Sequence, residues 1–273
     1  MKKILLFICI IILRDVMAQD VIDTSLFTIV YDFKVKTCDD QGVPVTDSMG
    51  VVTLVGTKVT SSMPYSNYVK LKDNYPELDD LYHESIMHYP TIWINYPSNS
   101  ITIRETIMPN VFETIEKKET LNWILNEEDT ITLQGLLCKK ATTIYAQKEW
   151  VAYYTEEIPS SIGPWKLYGL PGMIVKASDK DNVHSFEVRE LHQESLPIKY
   201  EKNTIFKEVK NKKLIKYRNK IYCNKKYPKK PLYYTNYSPL TAKTVTVIQS
   251  EKQIWLDGNL MLEKSHVFQP LEY

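Results

Sequence analysis

Five histidines, His83, His88, His184, His192 and His266, are the first groups to weigh for acid–base or metal chemistry. None stands in an H-E-x-x-H, H-x-x-E-H or H-x-H setting, so the common metalloprotease spacings are absent. His83 and His88 lie five apart, a poor separation for one metal ion on a helix face. His184 alternates with Phe186 along an expected strand and can face either side. No G-x-S-x-G elbow, phosphate-binding loop or G-x-G-x-x-G is present, which disfavours common hydrolases, NTPases and dinucleotide enzymes. Glu127-Glu128-Asp129 reads as a polar hairpin turn, and spacing along a chain cannot by itself reveal the carboxylate pair of a glycosidase. The expectation is therefore no catalytic constellation, no metal site and no cofactor.

One segment stands out, Glu157 to Ile174. Three of the chain's eight Gly and three of its Pro fall in these eighteen positions. Gly163-Pro164 and Pro171-Gly172 are turn dipeptides, the second suited to a type II turn with Gly at positive φ. Between them lie Trp165 and Tyr168. Pro159, Gly163, Pro164, Trp165, Gly169, Leu170, Pro171, Gly172 and Met173 are the candidate motif residues. They serve either as a rigid clamp between two strands or as a ligand contact, since aromatic rings offer area and a polar tip.

The elements that must position this segment are mostly strands. Phe27, Ile29, Tyr31, Phe33 and Val35 alternate with Thr28, Asp32, Lys34 and Lys36, the period of a half-buried strand. Further strands are expected at Val51–Val55, Thr91–Tyr96, Ile101–Ile107, Val111–Lys117, Leu121–Leu125, Thr130–Leu133, two within Ala141–Tyr154, Met173–Lys176 and Val183–Leu191. About nine or ten short strands at this spacing predict a mainly β, α+β fold: a curved antiparallel sheet or half-barrel with one or two helical segments. Tyr65 to Tyr82 follows helical spacing, interrupted at Pro76. The sheet is expected to end near residue 195. Residues 196–273 would form a basic, partly helical, irregular extension on the same domain. Its stretch Lys199–Lys230 holds thirteen Lys and Arg against Glu201 and Glu208, which reads as a solvated helix face or a contact for an anionic surface.

Composition bounds the classes. A chain of 273 residues, 44% hydrophobic and 25% charged, is globular rather than disordered or fibrous. A net charge of +1 lacks the basic excess of a nucleic-acid binder. Lys2-Lys3, the apolar run Ile4–Leu13 and Val16-Met17-Ala18 together read as a secretory signal cleaved after Ala18; the run is too short to span a bilayer. A periplasmic or secreted product, with no transmembrane segment once the signal is removed, is expected. Cys38, Cys138 and Cys223 would remain; Cys38 and Cys138 close predicted strands and are the preferred disulfide, leaving one thiol over.

The sequence resembles the GLPGLI family of exported proteins from Bacteroidetes-type bacteria. Gly169-Leu170-Pro171-Gly172-Met173-Ile174 matches its name motif, with Met173 in place of Leu. Gly135–Ala141 looks like the family's Gly-x-x-Cys-x-Lys-Ala block, and Trp150–Pro159 like its Trp-x-Ala-Trp-Tyr block, with Tyr153 where Trp is common. The resemblance covers Gly135–Asp179 best and thins after residue 195. It implies an envelope protein of unknown biochemical function, often associated with outer-membrane TonB-dependent transporters. The strand pattern is also similar to the open half-barrel of LolA-like and RseB-like carriers.

Three functions follow as expectations. The first is a non-enzymatic binding or carrier protein whose sheet forms an apolar groove for a lipid-like or peptide ligand, with Tyr31, Trp93, Trp150 and Tyr154 as candidate groove aromatics and Trp165 beside them. The second is an accessory subunit that partners a TonB-dependent outer-membrane receptor through an edge strand. The third is a hydrolase with a dispersed site.

Overall fold

The computed structural model of the chain describes residues 19–39, 41–74, 77, 87–107, 110–202, 206–222, 232–238, 243–249, 253–256, 259–263 and 266–272. The signal segment 1–18, the continuation of helical spacing over 78–86 and Cys223 lie outside them.

The chain is mainly β, and its organiser is β1 (Gln19–Cys38), whose period-two pattern is unusually long. It pairs antiparallel with β2 (Pro44–Gly56) along one edge. Along the other edge it pairs first with β12 (Pro197–Glu201) and then with β11 (His184–His192). Hairpins extend the sheet in both directions. On one side follow β3 (Thr60–Pro64), β4 (Thr91–Ile94), β5 (Ser100–Ile107) and β6 (Asn110–Lys117); β13 (Lys207–Glu208) closes that end parallel to β6. On the other side follow β10 (Met173–Asp179), β9 (Lys148–Thr155), β8 (Leu136–Tyr145) and β7 (Ile124–Leu133). Among the described residues the result is one large, open, curved sheet of thirteen strands.

Because β side chains alternate, the sheet buries two sets of residues on opposite faces. Ile29, Tyr31, Phe33, Trp150, Ala152, Tyr154, Ala177 and Phe186 share the main core, which we call the inner face. Val30, Val52, Leu54 and Trp93 point to the other face, where α1 (Tyr65–Leu71) covers them with Tyr68 and β12 with Ile198. The boundary expected near residue 195 is thus not a break, since β12 continues the sheet. A second helix, α2 (Asn211–Tyr222), buries Leu214 and Arg218 and leaves Lys212, Lys213, Lys216 and Lys220 exposed. Beyond it, where an irregular connection was expected, β14 (Leu232–Ser238), β15 (Lys243–Gln249), β16 (Gln253–Leu256) and β17 (Asn259–Glu263) pair as an antiparallel meander of their own.

Two local expectations change. Glu127-Glu128-Asp129 is not a hairpin turn: it is a bulge inside β7, where Asn126 pairs with Lys140 and Thr130 already with Lys139. The turn comes later, at Gln134-Gly135, both at positive φ (53° and 78°), as a two-residue hairpin of this hand requires. The disulfide between Cys38 and Cys138 is not formed; both thiols are free. Cys38 ends β1 and Cys138 sits in β8, with β11, β10 and β9 between those strands, several strand spacings beyond the reach of an S–S bond.

Candidate functional site

The Gly/Pro-rich segment folds back onto the inner face. Ile162 bridges Tyr168, and the amide of Leu167 donates to the carbonyl of Pro164 (3.1 Å), which makes Pro164–Leu167 a tight turn. Trp165, Leu167, Tyr168, Leu170 and Met173 are buried against the main core, as are Gly163 and Pro164, whereas Pro159, Gly169 and Pro171 are exposed. The glycines act otherwise than the turn dipeptides suggested. Gly169 is the one at positive φ, +92°. Gly172 is required by close approach: a Cβ there would lie 1.9 Å from the carbonyl oxygen of Thr155.

The candidate groove aromatics are core residues. Tyr31, Trp93, Trp150 and Tyr154 are at most 4% exposed, and Trp165 packs between Trp150 and Tyr145. The sheet brings Tyr31, Trp150 and Tyr154 together on the inner face and sends Trp93 to the other, because Trp93 shares the parity of Val30 and Val52 rather than of Tyr31. An open aromatic groove at these positions is thereby corrected: on the inner face Trp165 of the turn packs on Trp150, the Tyr31 hydroxyl donates to the Ile174 carbonyl and Leu271 of the segment 266–272 packs on the same core, while on the other face Tyr200 packs against Trp93.

That segment, His266 to Glu272, is a strap of extended chain held largely through its backbone. The Val267 amide donates to the carbonyl of Cys38 (2.8 Å), and its carbonyl accepts from the Thr37 hydroxyl. The Gln269 carbonyl meets Nε2 of His184 (3.1 Å), and since a carbonyl can only accept, Nε2 carries the hydrogen in that contact. The Pro270 carbonyl accepts from Lys148 Nζ (2.9 Å) and the Glu272 carbonyl from Arg218 Nη2 (2.8 Å). Leu271 packs on the main core, and Phe268 meets His88 and Tyr222 edge-on.

Two charged nodes anchor these contacts. At the first, the carboxylate of Asp179 lies 2.8 Å from Nδ1 of His184 and 3.7 Å from Lys148 Nζ. Burial would raise the Asp179 carboxyl, but hydrogen bonds from His184 hold it below its ordinary value. Burial also pulls the Lys148 ammonium down, with Asp179 opposing. An Asp–His pair is a general-base arrangement, yet the nitrogen a nucleophile would use is spent on the Gln269 carbonyl, so the pair holds chain rather than activates a hydroxyl.

At the second node Lys166, its side chain 2% exposed, meets the carboxylates of Glu272 and of Glu116 (3.0 Å). Burial works against the ammonium, but Glu272, then Tyr145 and Glu116, outweigh it and raise its pKa. Arg218 Nη1 reaches Glu105 Oε2 at 3.4 Å, while Glu105 Oε1 is buried without a partner among the described residues. Burial pushes the Glu105 carboxyl up to about 7; Arg218 opposes the rise and Glu272 adds to it. Glu105, Lys166, Asn211, Arg218, Leu271 and Glu272 line a cavity of about 20 Å³, room for about one water.

Sequence reading missed Lys148, Asp179, Arg218, Glu105 and Glu272 altogether, and weighed His184 only as an ordinary histidine. Two signals were available. Lys166 stands alone inside the apolar run Pro164-Trp165-Lys166-Leu167-Tyr168, and Arg218 follows Leu214 by four on the apolar stripe of a helix. A charge in either place must find a buried partner.

No curated protein matches this chain. Among solved structures it is similar to PNGF-II in two crystal forms, at TM-scores of 0.48 and 0.45, with 13% and 14% identity over 79% and 81% of this chain. The chain spans 35% of the length of those PNGF-II chains. A domain described as an outer-membrane lipoprotein-sorting protein, from Vibrio parahaemolyticus, matches at TM-score 0.23 and 8% identity over 70% of this chain and 91% of its own. At these TM-scores the likenesses carry no argument about the chain. Residues 95–176, which include the Gly/Pro-rich turn and the strands on either side of it, match the model of a family described as protein of unknown function (Porph_ging).

Proposed function

We propose that the chain is a non-enzymatic envelope protein, exported on residues 1–18, that holds an extended polypeptide segment across the inner face of its sheet. The observation that carries the reading is the way the strap is bound. Thr37, His184, Lys148 and Arg218 each direct a donor at a main-chain carbonyl, of Val267, Gln269, Pro270 and Glu272 respectively. Main-chain carbonyls are common to every peptide, so such a row recognises extended chain rather than a particular sequence. A lipid-like ligand fits less well. Lipid-sized pockets run to roughly 300 Å³ or more, whereas the cavity beside the strap holds about 20 Å³. No described helix is long and apolar enough to cross a membrane, which agrees with a protein associated with the envelope rather than threaded through it by a helix.

An array of immobilised ten-residue peptides probed with the full chain, and with the same chain carrying Glu272→Ala to loosen the strap, tests the reading. Bound spots whose signal falls at least tenfold in the Lys148→Met, His184→Ala variant are expected. Background signal from both chains overturns it.

A second reading, a scaffold that pairs an edge strand with an outer-membrane TonB-dependent receptor, draws on β7. This strand ends the sheet, and Ile124, Leu125, Ile131, Leu137 and Ile144 on the β7–β8 hairpin are each at least 43% exposed. The acidic bulge at 127–129 divides that edge into two short stretches, which favours the first reading. A photo-crosslinker at position 144 that captures the same receptor in intact cells would support the second.

A further inference from the structure

The strap is held by side-chain charge at its two ends: at His266, whose Nδ1 lies 2.5 Å from the Asp47 carboxylate, and at Glu272. Between them the backbone carries most of the polar contacts; at Glu272 the carboxylate is bound by Lys166, while Arg218 takes its carbonyl. Among the described residues three carboxylates, Glu105, Glu116 and Glu272, meet these two cations, so one acid is in excess there. The imbalance shows at Glu105, whose Oε1 is buried with nothing to accept from among the described residues. Taking Glu272 away leaves two acids on two cations, a balanced pairing. The seat can therefore exist without its occupant, as a buried ion pair missing one member generally cannot. Next to it Leu271 presses an apolar side chain onto the main core. The strap thus offers an apolar residue followed by a carboxylate, at the end of an extended stretch read through its backbone.

Resting on the peptide-holding reading above, we propose that Lys166 and Arg218 form an anchoring carboxylate subsite and that residues 266–272 are its internal, displaceable occupant. The ligand that takes their place is an extended peptide bearing an apolar residue followed by Asp or Glu. The strap, being tethered, competes at an effective concentration in the millimolar range, so an external peptide binds weakly until the strap is loosened. Specificity then resides in the carboxylate and the apolar residue before it, and affinity in the backbone contacts.

The probe is a fluorescent peptide of the sequence His266–Glu272, blocked at both ends so that Glu272 supplies its only carboxylate. Its binding is followed by polarisation against the full chain and against full chains carrying Glu272→Ala or Glu272→Gln. Binding at least tenfold tighter to either variant than to the unaltered chain is expected. A probe with Gln at the last position should bind at least tenfold more weakly than the Glu probe. Glu272→Gln keeps the shape of the side chain, so it serves where Glu272→Ala fails to fold by circular dichroism. Hydrogen exchange of the unaltered chain adds a measurement free of mutation: excess peptide should speed exchange at the Val267 amide.

Equal binding to all three chains, or a Gln probe as good as the Glu probe, overturns the displaceable carboxylate seat. Where the peptide array still lights up in that case, the peptide-holding reading survives and only the subsite falls. Where neither the array nor the probe binds any chain, both fall.

Discussion

Replacing Lys166 with Met tests whether the strap is clamped by buried charge or merely rests on the core. Met keeps most of the stem volume in a site where the side chain is 2% exposed, so packing changes little. What is lost is the ammonium that two carboxylates share, Glu116 at 3.0 Å and Glu272 in closer contact. The Glu272 side chain is only 10% exposed and the Glu116 side chain 22%, so Glu272 bears most of the penalty. Removing one member of a buried ion pair costs roughly 3–5 kcal/mol, since the remaining charge stays desolvated. For a domain of this size that corresponds to a fall in Tm of about 6–20 °C. The assay is thermal and urea unfolding followed by tryptophan fluorescence, with Lys166→Met, Glu272→Gln and the double variant forming a cycle. Neutralising both partners removes the stranded charge, so the double variant should be more stable than the sum of the singles implies, with a coupling of about 1–3 kcal/mol. A Lys166→Met loss below about 1 kcal/mol, or a coupling below about 0.5 kcal/mol, refutes the clamp, because an exposed or water-bridged pair would give those values.

Three further outcomes follow. Gly172→Ala drives a Cβ to 1.9 Å from a backbone oxygen that cannot swing aside, and should cost roughly 3 kcal/mol or more in urea unfolding. Gly135→Ala meets nothing within 4 Å and pays only for its positive φ, about 1 kcal/mol, so comparable losses at the two sites would contradict the close-approach explanation. Glu105 retains its proton in the folded chain up to about 7 against 4.5 for an ordinary glutamate, so the folded state binds more protons between those values and stability falls as pH rises through them. Arg218 and Glu272 both bear on that carboxyl; the drop should total roughly 3 kcal/mol, level off above pH 7 and vanish in Glu105→Gln, and a profile unchanged by that substitution would assign the dependence elsewhere. Arg104→Lys gives up the two-pronged contact with Glu113 and stacking against Trp93, Tyr200 and Phe206, at a cost of roughly 1–3 kcal/mol in thermal unfolding; a neutral result would mean a bare charge suffices.

Most of the sheet was legible because its rule is local. A residue such as Phe33 declares its face by its neighbours Lys34 and Asp32, and each such pattern marks a strand without reference to anything distant. Turns were less so. Glu127-Glu128-Asp129 carries every polar sign of a loop, yet the ladder simply bulges around it and resumes at Thr130. Whether a polar triplet turns a chain or bulges from it depends on the partner strand, which local composition does not specify. The aromatics failed for a related reason. Tyr31 and Trp150 read equally well as groove walls or core, and the choice is made by segments whose folding back local patterning does not specify: the turn that sets Trp165 on Trp150 and the strap, whose Leu271 packs on the same core.

The site itself was hidden by how it is made. A nucleophile with its base, or a metal cage, leaves residue types at characteristic spacings because the chemistry dictates both. A surface that holds extended chain needs only donors at intervals along a strand, and any Thr, Lys, His or Arg will serve. Thr37, Lys148, His184 and Arg218 come from β1, β9, β11 and α2, so their spacing in sequence records the topology of the sheet rather than the chemistry of the ligand. What the sequence does retain is the cost of burying charge. Lys166 among Pro164, Trp165, Leu167 and Tyr168, and Arg218 one helical turn after Leu214, are cations in apolar company, and each must be matched by an acid from elsewhere. Among the described residues the acids prove to be Glu105, Glu116 and Glu272, one more than the cations they meet. That surplus is what separates a strap that only closes a core from one that occupies a seat built to exchange its guest.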